Sequence, residues 1–180
     1  MRVGLEKCIT DIFFPFLQRV GLLWMTNNVI PAQEHFVSHI IRKKIILATD
    51  GLESNNPTHN NIVVFAPLGE QHEIPLLAAN YFFRKYNNHT IYFGVDLAAA
   101  TLEYYLDNKG ATHLYAHVIT PLHQEGIQAY MNGLSSKYPG IEIILSGPAS
   151  KWLGEVPANI SILHSISDLI AFAKQCGGLT

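Results

Sequence analysis

A chain of 180 residues that is 48% hydrophobic and 14% charged has room for one domain plus a small appendage and enough apolar content to bury a core, which excludes a disordered tail. Its formal net charge of −2 and the lack of a basic stripe exclude a self-sufficient grip on nucleic acid; Arg42, Lys43 and Lys44 form the one short basic cluster, read as a solvated helix face. Two cysteines, Cys8 and Cys176, with no CxxC exclude a disulfide framework, and no apolar run reaches the ~20 residues that span a bilayer.

The chain opens on Met1-Arg2 and an apolar stretch, but Glu6, Lys7 and Asp11 interrupt it and no small-residue cleavage site follows. The expected setting is a reducing cytoplasm. There the sequons Asn88-His89-Thr90 and Asn159-Ile160-Ser161 carry no meaning. From Leu5 to Trp24, apolar residues recur at steps of three and four, which predicts a helix; Pro15 inside it predicts a kink or break. Asn27, Asn28 and Pro31 mark a connection. A second helix is expected over 33–48, with Val37, Ile40, Ile41, Ile45 and Ala48 on one face. Two such apolar helices call for partner helices, from a preceding segment or another chain.

Residues 1–50 thus read as half of a four-helix bundle, and 51–60 as a linker by composition, with Asn55, Asn56, Pro57 and Asn60. Residues 61–180 read as an α/β domain. Short runs rich in β-branched residues at 61–67, 89–95, 113–119, 141–146 and 160–164 predict strands. Segments 72–86, 98–108, 123–137 and 167–174 predict helices between and after them. Strand and helix in alternation imply a five-stranded parallel, Rossmann-like (flavodoxin-like) sheet with helices on both faces. A ligand of such a sheet lies at the carboxyl ends of the strands. Four loops are therefore the candidates: 68–73, 95–97, 120–123 and 147–150.

The first loop reads Pro67-Leu-Gly-Glu-Gln-His-Glu-Ile-Pro75. His72 can offer a neutral nitrogen to a metal, and Glu70 is placed to accept the other ring N–H and fix the tautomer. The plainer reading is a solvated loop histidine. Pro75 falls in the first helical turn, where a missing N–H costs little. His35 and His39, at i and i+4, have a spacing that also suits zinc, without a third ligand at recognisable distance. His113, His117 and His123 flank the third strand, either as a ligand cluster or as scattered surface residues. Tyr104, Tyr105 and Tyr115 read as packing residues. No nucleophile–base pair, phosphate loop or paired carboxylates argue for catalysis by the chain itself.

Glu70-Gln71-His72 resembles the turn of the cobalamin-binding fold that carries an acidic residue and, two positions on, the histidine ligating cobalt from below. Pro75 stands where that family has glycine. The family's later Ser-x-Leu motif corresponds to Ala116-His117-Val118, followed by Ile119-Thr120-Pro121, and its Gly-Gly to Ser146-Gly147. Upstream, Val20-Gly21-Leu22-Leu23-Trp24 and Glu34-His35-Phe36 form a Trp-x9-Glu-His pattern. It resembles the helical cap of MerR-type, light-responsive regulators that use adenosylcobalamin. Met25 stands where the photoreceptor members carry histidine.

The resemblance implies a cobalamin, in adenosyl form, held between sheet domain and cap. His72 would be the metal ligand and Glu70 its support. Trp24, Glu34 and His35 would lie over the upper face, with Ala116, Val118, Thr120, Ser146 and Gly147 around the nucleotide tail. It implies a sensor of a transcriptional regulator rather than an enzyme, a homo-oligomer, and DNA contact through an N-terminal domain outside this chain. Two alternatives stand beside it: a corrinoid-binding module of a methyltransferase system, and a degenerate fold that binds another ligand or a protein partner.

Overall fold

The computed structural model describes residues 4–25, 31–53, 59–120 and 124–179. They divide into two compact units, 1–53 and 54–180. Among the described residues no helix is long and apolar enough to cross a membrane.

In the first unit, helix α1 (Leu5–Cys8) passes through a π-helical turn (Ile9–Phe13) into α2 (Phe14–Met25). Pro15 explains the turn. Its ring has no N–H to give and crowds the carbonyl a turn behind, so the ladder widens and Phe14 N–H bonds Ile9 O instead. The break expected at Pro15 thus takes the form of a π turn just ahead of the proline, and the helix continues. Helix α3 (Pro31–Asp50) starts on a proline, which suits a first position whose N–H has no helical partner. Ile41, Ile45 and Thr49 are its buried residues, and the Thr49 hydroxyl donates to Ile45 O at 2.8 Å. Ile12, Phe16, Leu22, Phe36 and Leu47 remain exposed.

The second unit is a parallel sheet in the order β2-β1-β3-β4-β5. Its strands are β1 (Asn61–Pro67), β2 (His89–Leu97), β3 (His113–His117), β4 (Glu142–Ser146) and β5 (Ile160–Leu163). The helices are α4 (Glu73–Lys85), α5 (Ala99–Lys109), α6 (Gln124–Lys137) and α7 (Ile166–Cys176). Every described pairing is parallel. In β1 the run Ile62–Ala66 is wholly buried, as a central strand covered on both faces requires.

On one face Val63, Phe65, Leu114, Ile143 and Leu145 pack with Leu102 and Leu106 of α5 and Ile127 and Met131 of α6. On the other, α4 and α7 meet through Phe83 and Phe172, whose ring centres are 6.3 Å apart. There the Asn88 side chain donates to Phe83, Tyr86 and Ala173 carbonyls, closing the two helix ends against each other.

Several boundaries differ from the sequence expectation, among them the end of β3 at His117 rather than at 119. β2 continues to Leu97, so 95–97 is strand and not loop. Residues 148–152 form a short 3-10 helix (Pro148–Trp152) in place of a loop. α7 begins one residue early because Ser165 and Asp168 make a reciprocal capping box, which fixes the start at Ile166.

Candidate functional site

In this strand order the chain reverses direction of travel between β1 and β3. The crevice at their carboxyl ends is where side chains from two loops can converge. Glu70 occupies that position. It follows a turn in which Glu70 N–H bonds Pro67 O, and Gly69 adopts φ 89°. The turn is tied to β2 by Gly69 N–H to Asp96 Oδ1 (2.8 Å) and Asp96 N–H to Glu70 O (3.1 Å).

The Glu70 side chain is fully buried. Oε2 accepts from the backbone N–H of Ile119 (2.6 Å) and Thr120 (2.7 Å), just beyond β3. Oε1 accepts from His72 N–H (2.9 Å) and faces His72 Nδ1 at 2.6 Å. Burial pushes this carboxyl pKa up. The bonds from the His72 ring and from the Thr120, His72 and Ile119 N–H groups outweigh it and bring the value down from 4.5 to about 2. Glu70 is therefore an anion at neutral pH and can only accept.

That assigns the imidazole. With an ionised carboxylate against Nδ1, this nitrogen carries the proton, and in the neutral ring Nε2 holds the lone pair. His72 caps the start of α4 with φ −81° and ψ 91°, and its side chain is 53% exposed. A buried charge thus orients a half-exposed imidazole, a pairing of carboxylate and ring N–H that raises the basicity of the other ring nitrogen.

A second polar cluster lies on the neighbouring strands. The Ser146 hydroxyl, ending β4, is 2.8 Å from His117 Nδ1 and 2.7 Å from the Tyr115 hydroxyl. Burial lowers the His117 pKa to about 4, with the Glu70 charge opposing the shift and His72 adding to it, so His117 is neutral at pH 7. Burial likewise pushes the Tyr115 hydroxyl above its ordinary value.

Gly147, expected to leave space for a ligand, has φ 93°, and a Cβ on it would overlap the Val118 carbonyl oxygen. The space is filled by backbone: Val118 N–H bonds Ser146 O (3.0 Å) and Ala149 N–H bonds Val118 O (3.1 Å). Ala116 and Val118 sit in the apolar core shared with α5 and α6. Thr120 meets the Glu70 carboxylate.

In the helical unit, Glu34 and His35 occupy the first turn of α3. Glu34 accepts from the Ser38 hydroxyl (2.6 Å) and lies 3.5 Å from His35 Nδ1. The side chains of Trp24 and Met25, and His123, lie outside the described residues. No group of three or more His, Cys, Asp or Glu that could hold a bare metal ion occurs among the described residues, so His35 and His39 gain no third ligand there. His113 is at the far end of β3 from His117, beside Glu142 and Cys176. Tyr105 packs on Phe93, and Tyr104 is exposed.

The site thus brings together Glu70, His72, Thr120 and, through the strand ends, Ser146. Sequence reasoning weighed His117 only beside His113 and His123, as a ligand cluster or scattered surface residues, and left out Asp96. Their signal is weak in one dimension, because each finds its partner only through strand neighbours far apart in sequence.

Residues 1–48 match a family profile described as "B12 binding domain". No curated protein sequence matches the chain. Among solved structures, the chain is similar to the monomethylamine corrinoid protein of Methanosarcina barkeri, with TM-score 0.77 and 16% identity over 96% of this chain and 84% of that one. It is also similar to a cobalamin-binding protein of Desulfitobacterium hafniense, with TM-score 0.55 and 12% identity over 87% and 76%. A third likeness is to the methanol:cobalamin methyltransferase complex of Methanosarcina barkeri, with TM-score 0.55 and 13% identity over 97% and 68%. The α/β unit is therefore a Rossmann-like sheet of the kind found in cobalamin-binding structures.

Proposed function

We propose that the chain binds a corrinoid, with His72 as a ligand to its cobalt, and serves as the corrinoid-carrying module of a methyl-transfer system. The observation that carries the reading is the Glu70–His72 pair at the β1/β3 switch point. One imidazole does not hold a bare ion against water. It suits a metal that arrives with its own equatorial ring of nitrogens, and Glu70 fixes the tautomer such a metal needs. A bound corrinoid supplies a cobalt centre that can accept and hand on a methyl group. Glu70 would hold the proton of the neutral ring on Nδ1 and leave the Nε2 lone pair for the metal, and the Ile119 and Thr120 amides keep Glu70 in place. The carrier role is supported by the likeness to a monomethylamine corrinoid protein and to a methanol:cobalamin methyltransferase complex.

A second reading, an adenosylcobalamin sensor of a MerR-type regulator that reaches DNA through a further domain, is favoured by the spacing of Trp24, Glu34 and His35. The test is an absorbance titration in the dark with hydroxocobalamin and adenosylcobalamin, followed by gel filtration, for wild type and His72→Ala. Retained cofactor with an altered cobalt spectrum that His72→Ala abolishes supports corrinoid binding; no retention by folded wild type overturns it. Tight retention of adenosylcobalamin alone would move the reading from carrier to sensor.

A further inference from the structure

The crevice holds a second imidazole that the proposed cobalt ligation does not use. His117 ends β3 two residues after Tyr115, so both side chains leave the sheet on the same face, and its strand partner in register is Ser146. The protons of Tyr115, Ser146 and His117 can be placed one by one. The Tyr115 hydroxyl is buried against the Ser146 hydroxyl. If it only accepted, its own hydrogen would be buried without an acceptor, so it donates to Ser146. The Ser146 hydrogen then has two acceptors within reach, His117 Nδ1 at 2.8 Å and Ala116 O at 3.4 Å. The shorter contact is the hydrogen bond. Nδ1 is thereby an acceptor, and the proton of the neutral ring sits on Nε2. That N–H has no protein partner among the described residues.

The two imidazoles are therefore locked in opposite tautomers. Glu70 gives His72 a lone pair to offer; Ser146 gives His117 an N–H to offer. We infer that His117 donates a hydrogen bond from Nε2 to an uncharged acceptor of the bound corrinoid, a carboxamide oxygen or a heterocyclic nitrogen, on the side of the macrocycle that His72 ligates. This rests on the corrinoid reading and adds to it a residue that selects the ligand. A neutral donor matches a neutral acceptor, because a mostly buried ring that resists protonation gives a phosphate no ionic partner.

The experiment uses the full chain with two probes: hydroxocobalamin, which has a nucleotide tail, and aquacobinamide, which has none. His117→Leu is expected to weaken hydroxocobalamin binding about tenfold, the loss of one buried hydrogen bond, while His72 ligation persists in the spectrum. An equal loss with aquacobinamide assigns the acceptor to a ring carboxamide; no loss there assigns it to the base of the tail. Should His117→Leu fail to fold, Ser146→Ala carries the test. It keeps the imidazole but releases the tautomer, and about threefold weaker binding is expected. Two-bond proton–nitrogen spectra of the wild type should show His117 protonated at Nε2 and His72 at Nδ1. Unchanged binding of both probes by folded variants, or a His117 protonated at Nδ1, overturns this inference alone. A wild type that takes up neither probe overturns the corrinoid reading with it.

Discussion

Residues 118–120, just past β3, are held from two sides, and the two grips differ in kind. From the β1 side, Glu70 reaches across with a buried carboxylate and collects the N–H groups of Ile119 and Thr120. From the β4 side, Gly147 presses its bare backbone against Val118, where any side chain would collide. The first grip stores a charge beside the His72 imidazole; the second stores none. Both loops were candidate ligand sites from position alone. The first carries an imidazole oriented by a buried charge, while at Gly147 the second packs bare backbone on Val118.

The largest effect should separate these roles. His72→Ala is expected to lower hydroxocobalamin affinity by at least about a hundredfold while the fold survives, since Glu70 loses the ring bond but keeps its backbone donors at His72, Ile119 and Thr120. Gly147→Ala should do the reverse. A dihedral reserved for glycine plus an overlap with the Val118 carbonyl predicts a loss of about 3 kcal/mol or more by urea unfolding. Gly110 is the control, with nearly the same backbone (φ 72°, ψ 167° against 93°, 165°) but open space around its Cβ position. Gly110→Ala should cost about 1–2 kcal/mol, the dihedral part alone. Equal losses at the two glycines would show that the Val118 contact carries nothing.

The fold was legible because its signals are local. β1 falls on 61–67 as its apolar run predicts, and the parallel order follows from alternating strands and helices. The site was legible where its partners are neighbours in sequence, as Glu70 and His72 are. It was not where partners meet only through strand register. His117 and Ser146 stand 29 residues apart, and nothing in either segment announces the hydrogen bond between them. Gly147 was noticed for the right property, smallness. Which neighbour requires that smallness, a ligand or the chain's own backbone, can be read only in three dimensions.

Glu70→Gln sharpens the comparison at intermediate size. Gln keeps the shape and an acceptor oxygen for the backbone amides. Its amide carries no charge and places a donor among donors. Corrinoid affinity should fall about tenfold or more, with Nδ1 of His72 no longer held as the sole protonated nitrogen in nuclear magnetic resonance spectra. An affinity equal to wild type would mean that Glu70 serves the fold and not the imidazole.

The last prediction concerns pH, and its sign follows from both groups. Glu70 has a folded pKa of about 2 against 4.5, so the stability it adds is present above pH 4.5 and is lost as pH falls toward 2. His117 has a folded pKa of about 4 against 6.5. The unfolded chain takes up that proton first, so stability drains away between about pH 6.5 and 4. Wild type should therefore lose urea resistance in two stages on acidification. His117→Leu should flatten the upper stage only, and Glu70→Gln the lower only. If either substitution flattened both stages, the carboxylate and the imidazole would be titrating as one coupled unit, and the two grips on residues 118–120 would be less independent than their geometry indicates.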